Sequence, residues 1–333
     1  MSISKATRLV VSIAVFGALA FIAIQKVAAK KTPKEEVVVH TLPPLKKEPF
    51  PATELVQLPK FQAQDQREEG NSSAEFPSVD RMKELFSVTG YKLPIVETIT
   101  YKSRVDWLKG RPAWIADYAS HYATSRHFIA RSLNGNLDYF TQKVSPLSRF
   151  NVFRLDKDIQ FYLLVDVSLC KMALYYFDVG TKERVLLKTY TVGLGRKDPR
   201  SPSGCLTPMG TYSLGSKIAI YKPGILGYFL DQQVEMIRVF GTRWIPFEQE
   251  FGECTAPAKG YGIHGAPFQE DRGELVENLS CLGMYEGDGC VRLSSKDIEE
   301  IFSIVITRPA FLVIVNDFRQ AKLPGMEVSI PSR

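Results

Sequence analysis

From Ile159 to Asn316 the chain is a succession of short β-branched and aromatic runs broken by Gly and Pro, and this texture constrains the fold more than any other feature. Phe161 to Val167, Met172 to Phe177, Arg184 to Val192, Gly210 to Leu214, Val234 to Phe240 and Phe311 to Val315 each have the alternation and side-chain types of a strand. Ser295 to Ser303 departs from it with helical spacing, and Ser294 stands three residues before Asp297 as a cap. The expectation is a mainly β domain over residues 158–318, a sandwich with one or two short helices, with neither an internal repeat nor the crossover pattern of a parallel sheet.

Residues 91–157 read as a smaller α+β unit. Pro94 to Tyr101 is extended, Trp114 to Ala119 and Ser125 to Leu133 have helical spacing, Asn134-Gly135 stops the second helix, and Phe150 to Phe153 closes with a strand. This order, with Trp114-Ile115-Ala116, Tyr122-Ala123-Thr124-Ser125 and Ala130-Arg131-Ser132-Leu133-Asn134-Gly135, resembles a LysM module, the small peptidoglycan-binding fold. An unrelated helical spacer is the alternative. His121 and His127 fall here and read as surface or packing residues rather than a metal pair.

Residues 30–90 are rich in Pro, Lys, Glu and Gln and poor in aromatics, the composition of a disordered tether. Before them, Lys5 and Arg8 precede an apolar stretch from Leu9 to Ile24, sixteen residues, with Lys26, Lys30 and Lys31 following. Residues 1–29 are therefore a signal anchor or a signal peptide; sixteen residues fall short of the ~20 of a spanning helix unless Lys26 snorkels. The expectation is an extracytoplasmic or periplasmic protein held at the inner membrane, with residues 319–333 as a C-terminal tail. A net charge of +6 does not argue for nucleic acid.

Five cysteines, Cys170, Cys205, Cys254, Cys281 and Cys290, leave one unpaired if the others form disulfides; pairing of those four is not legible, and all being reduced is equally compatible. Cys281, nine residues before Cys290, is a further candidate for a regulatory disulfide with it. Cys290 stands in Gly287-Asp288-Gly289-Cys290-Val291-Arg292-Leu293, and His264, in Tyr261-Gly262-Ile263-His264-Gly265, is the only histidine after residue 127. A thiol is a poor nucleophile until an imidazole removes its proton, so the pair reads as a cysteine nucleophile with a histidine base. Gly289 lets the backbone approach closely, and the amides of Gly289 and Cys290 are candidates for an oxyanion hole. No metal cluster or phosphate loop competes with this constellation, and no cofactor is expected.

Over residues 159 to 317 the chain resembles the L,D-transpeptidase family of YkuD type, in five ordered segments. Val165-Asp166-Val167 with Ala173 to Asp178 resembles the paired opening strands, and Tyr190 to Gly195 the strand after them. Thr207-Pro208-Met209-Gly210-Thr211-Tyr212 is similar to the Thr-Pro-x-Gly-x-Tyr turn. Phe240 to Ile245 with Tyr261 to Gly265 resembles the strands leading to the histidine, and Gly289-Cys290-Val291-Arg292 the closing motif.

The resemblance implies that His264 deprotonates Cys290 while the Gly265 carbonyl orients the imidazole. It implies a peptidoglycan stem peptide as substrate, a thioester intermediate, and a diaminopimelate amine or water as acceptor. Arg292 would brace the loop or meet a substrate carboxylate, and Tyr261 and Trp244 would line the cleft. Two departures stand out. Gly287 replaces the usual hydroxyl residue, and Asp288, if turned inward, would raise the thiol pKa; His264 and Cys290 are also 26 positions apart, with an acidic stretch between Pro267 and Glu286 that reads as an ordinary solvated charged loop or as a lid or rim loop. The competing readings are a non-catalytic wall-binding protein, a carboxypeptidase and a cysteine peptidase of proteins.

Overall fold

The computed structural model describes residues 75–134 and 144–330. The candidate membrane segment and most of the tether lie outside these residues. Among the described residues no helix is long and apolar enough to cross a membrane.

The chain enters through a short helix, α1 (Met82–Phe86), whose Met82 and Leu85 are buried. Residues 75–90 were expected to end the tether but are instead built into the fold: Arg81 donates its amide to the Leu187 carbonyl, and Leu85 is fully buried in the main core. Then come β1 (Val96–Thr100), α2 (Ile115–His121), α3 (Arg126–Asn134) and β2 (Arg149–Phe153), with β1 and β2 antiparallel. The strand, helix, helix, strand order agrees with the sequence pattern. Asp117 caps α2 by accepting the Trp114 amide at 2.8 Å.

This unit has its own small cluster of Ala113, Tyr118, Ala119, Ile129, Phe150 and Val152. It is nevertheless packed onto the β domain, because Phe128 and Phe153 belong to the main core, where Phe153 lies 5.6 Å from Phe161. His121 stacks on Trp107 at 4.2 Å, and His127 is buried edge-on to Phe302. Both histidines pack.

The β domain supplies β3 (Ile159–Asp166), β4 (Lys171–Asp178), β5 (Glu183–Thr191), β6 (Leu194–Gly195), β7 (Gly210–Leu214), β8 (Ala219–Ile220), β9 (Leu226–Phe229), β10 (Gln232–Glu235), α4 (Ile237–Phe240), β11 (Arg243–Phe251) and β12 (Gly262–Gly265). Next in the chain are β13 (Phe268–Asp271), β14 (Glu274–Glu277), β15 (Tyr285–Gly287), β16 (Val291–Leu293), α5 (Ser295–Val305), β17 (Ala310–Val315) and β18 (Met326–Glu327). Ten of the strands form one mixed sheet in the order β16-β12-β11-β7-β17-β3-β4-β5-β18, with β8 on β11. Its parallel pairs, β3 with β17, β12 with β16 and β5 with β18, join strands distant in sequence. A local hydrophobic pattern carries no sign of such pairing.

One face of the sheet holds α5, whose Ile298, Ile301, Phe302 and Val305 join Phe161, Leu163, Val165 and Leu312 in the main core. The helix begins as expected, the Ser294 hydroxyl accepting the Asp297 amide at 3.1 Å. The opposite face, with Leu164, Ala173, Tyr175, Leu186 and Val313, is covered by Phe76, Val79, Phe318 and Leu323. Residues 319–330 are therefore no loose tail: Arg184 donates to the carbonyls of Leu323, Pro324 and Gly325, and β18 extends the sheet.

Val234 to Phe240 does not form the single strand its alternation suggests. The strand ends at Glu235, the Phe240 amide bonds the Met236 carbonyl, and Arg238 pairs with Glu235 one helical turn away. The acidic stretch after Pro267 is an ordered hairpin of β13 and β14, turning through Arg272 and Gly273 at positive φ.

Candidate active site

Strands β12 and β16 bring the two motif residues together. They run parallel with Ile263 opposite Val291 and His264 opposite Arg292, so Cys290, one residue before β16, falls beside Gly262. Side chains alternate along a strand, so His264 and Cys290 share a face; an interstrand spacing of about 4.8 Å and a rise of about 3.3 Å per residue set their Cα atoms about 8 Å apart. That is within reach of an imidazole and a thiol directed towards each other.

Glycines shape the ground around the thiol. Gly289 has φ +117°, and a Cβ there would lie 2.5 Å from the Tyr261 ring and 2.7 Å from the Leu206 carbonyl oxygen. Only glycine tolerates both the backbone angle and the approach. Among the described residues no turn or loop hydrogen bond takes up the amide of Gly289 or Cys290. Those two amides lie side by side next to the Cys290 thiol.

The imidazole is held from two directions. His264 is buried, and its Nδ1 donates to the Gly265 carbonyl at 2.8 Å. Trp244, opposite it on β11, places its ring 5.8 Å away, and the Phe240 ring meets it edge to face at 5.3 Å. Burial therefore lowers the His264 pKa to about 4, the Arg292 charge adding to this while the Gly265 and Phe240 carbonyls oppose it. Burial likewise pushes Cys290 up to about 11, against the Gly262 amide and the Arg292 charge, which favour thiolate; Asp288 adds slightly to the rise. Burial thus favours the neutral form of both groups at pH 7.

Asp288 points outward. Its side chain is 76% exposed and pairs with Arg196, which is itself 63% exposed. Arg292, by contrast, is buried, and its guanidinium donates to the Leu194 carbonyl at 3.0 Å. Of the two roles expected for it, this geometry is that of a brace.

The brace also accounts for Gly287, since a Cβ at that position would lie 2.9–3.2 Å from the Arg292 guanidinium. The space where the family's hydroxyl residue would stand is occupied by arginine. Tyr261 packs on Gly289 and stacks with Phe247, while Trp244 closes over Gly262. The sequence did not single out Phe240 beyond its motif, because its role depends on where a four-residue helix ends.

All five thiols are free. Cys170, Cys205 and Cys281 are buried, and the Cys281 thiol faces the Asn278 carbonyl at 3.4 Å. Among the described residues no group of three or more His, Cys, Asp or Glu side chains is arranged to hold a metal.

Within this mixed β domain, His264 lies on β12 and Cys290 immediately before its parallel neighbour β16. Residues 160–316 match the family model described as YkuD, the L,D-transpeptidase catalytic domain. No curated protein matches the chain. Among solved structures it is similar to Bd1075 of Bdellovibrio bacteriovorus, at 14% identity, 47% of this chain and 48% of that one, with a TM-score of 0.31. It is also similar to the helical cell shape determining protein Pgp2 of Campylobacter jejuni, at 17% identity, 51% of each chain and a TM-score of 0.31. The chain thus spans about half the length of each.

Proposed function

We propose that this protein is a cysteine-dependent L,D-transpeptidase acting on peptidoglycan stem peptides. The observation that carries the reading is the β12–β16 register, which sets His264 and Cys290 on one face of neighbouring strands. His264 takes the Cys290 proton as the sulfur attacks the carbonyl of the residue preceding a D-amino acid, and the amides of Gly289 and Cys290 receive the oxyanion. The imidazolium returns the proton to the departing amine, the C–N bond breaks, and a thioester remains. A side-chain amine of a neighbouring stem then displaces the thiol to form a crosslink; water in its place gives a trimmed stem.

Because burial favours the neutral form of both groups, proton transfer accompanies attack rather than preceding it. The Gly265 carbonyl fixes the imidazole tautomer, so no acidic third member is required. Residues 91–157, in their strand, helix, helix, strand order, would hold the polymer near the cleft as a LysM-like module, and residues 1–29 would keep the chain at the outer face of the inner membrane.

The test is a covalent adduct. The full-length protein incubated with a carbapenem should gain its mass at Cys290, and Cys290→Ala should gain none; an unmodified wild type, or a modified Cys290→Ala, refutes the reading. Mass spectrometry of stem-peptide products then separates crosslinking from trimming, and retention of Cys290→Ala on isolated cell wall tests the polymer-binding role.

A further inference from the structure

Phe240 is the hub of an aromatic cluster built around the candidate base. Its ring meets His264 at 5.3 Å and 87°, Trp244 at 4.9 Å and 62°, Phe229 at 5.4 Å and 89°, and Tyr221 at 6.1 Å and 28°. It is the last residue of α4, and Gly241 comes next at φ +60°, where a Cβ would lie 2.5 Å from the carbonyl carbon of Gly265 and 2.6 Å from the Ala266 oxygen. The helix end is therefore pressed onto the same residue whose carbonyl accepts the His264 Nδ1–H hydrogen bond. Phe229, in turn, comes from the antiparallel β9–β10 hairpin.

We propose that Phe240 is a positioning residue for His264, walling the imidazole from water and fixing its plane, and that the β9–β10 hairpin holds it there through Phe229. The inference rests on His264 being the base of the reaction proposed above. The alternative suppliers of such control are accounted for. Arg292 on β16 is held by the Leu194 carbonyl and adds its charge to the lowering of His264 in wild type and Phe240 variants alike, Arg238 of α4 pairs with Glu235 and Glu270, and Arg243 of β11 pairs with Glu299 of α5. Cys290 shares the face with His264 and Arg292. An apolar ring beside an imidazole disfavours its charged form and restricts its rotation, whereas a gap there admits water that stabilises the cation.

The experiment reads the imidazole directly. The full-length chain labelled with ¹³C at histidine Cε1 has four histidines, and the His264 signal is assigned by its loss in His264→Gln. In the wild type this signal should stay that of neutral imidazole until the pH nears 4. Phe240→Ala should raise the midpoint by about one unit or more, and Phe240→Leu, which keeps the site apolar, should stay within about half a unit of wild type. Phe229→Ala should also raise it, by less. A folded Phe240→Ala that titrates with the wild type overturns the proposal; should that variant not fold, an unshifted Phe229→Ala overturns it. Since turnover is not the readout, this result is independent of whether the carbapenem adduct forms.

Discussion

Alkylation of Cys290 by iodoacetamide should be slow at neutral pH and should quicken about tenfold with each pH unit up to roughly pH 10. Burial pushes the thiol up to about 11 from an ordinary 9.0. At pH 7.5 that leaves about 3 thiolates in 10,000, against about 3 in 100 for an unperturbed thiol, so Cys290 should react about 100-fold more slowly. A preformed ion pair would reverse this, but the free-energy balance opposes one. With His264 at about 4, moving the proton from sulfur to nitrogen in the free protein costs about 10 kcal/mol at about 1.4 kcal/mol per pKa unit. Attraction between the resulting charges returns only about 3 kcal/mol at roughly 5 Å and an effective dielectric of about 20. The measurement is the time course of modification of the Cys290-containing peptide, by mass spectrometry, in the reduced full-length protein from pH 5 to 10. A rate that is flat between pH 5 and 8 would refute the neutral resting pair.

The same geometry has other consequences. Gly289→Ala places a Cβ 2.5 Å from the Tyr261 ring at φ +117° and should cost about 1–3 kcal/mol in urea unfolding, with loss of the carbapenem adduct. Arg292→Met leaves the Leu194 carbonyl without its 3.0 Å donor, expected to cost about 1–3 kcal/mol, and removes a charge that favours thiolate, so Cys290 alkylation at pH 9 should slow. Gly287→Ser, which restores the family's hydroxyl, should lower thermal stability in the wild type and be tolerated better alongside Arg292→Met, because the guanidinium occupies that space. Stability should fall as the medium is acidified from pH 6.5 to 4. In that window unfolded histidine takes up a proton while buried His264 stays neutral until about 4, a loss of up to about 3 kcal/mol. His127, held down to about 3 by burial and by neighbouring arginines, contributes in the same direction, so His127→Gln should flatten the pH dependence of the urea midpoint.

Much was legible in the chain because strands, caps and turns are local. The runs at Met172 to Phe177 and Phe311 to Val315, and the Ser294–Asp297 cap, arise from side-chain periodicity and one hydroxyl, and each forms where expected. The misreadings are places where long-range packing overrides a local signal. Val234 to Phe240 alternates like a strand but turns helical so that Phe240 can reach His264, and residues 75–90 and 319–330 look like linker and tail yet are fixed by contacts to Leu187 and Arg184.

By itself the sequence determined the chemistry on offer: a thiol flanked by glycine, a single histidine in a β-rich domain, and an arginine two residues past the cysteine. What only tertiary structure decided was how those groups are disposed. The parallel register of β12 and β16 sets His264 and Cys290 on one face, turns Asp288 out to Arg196, and buries Arg292 where a hydroxyl would otherwise stand. Pairing between strands distant along a chain is fixed by the packing of the whole sheet, and no run of neighbouring residues encodes it.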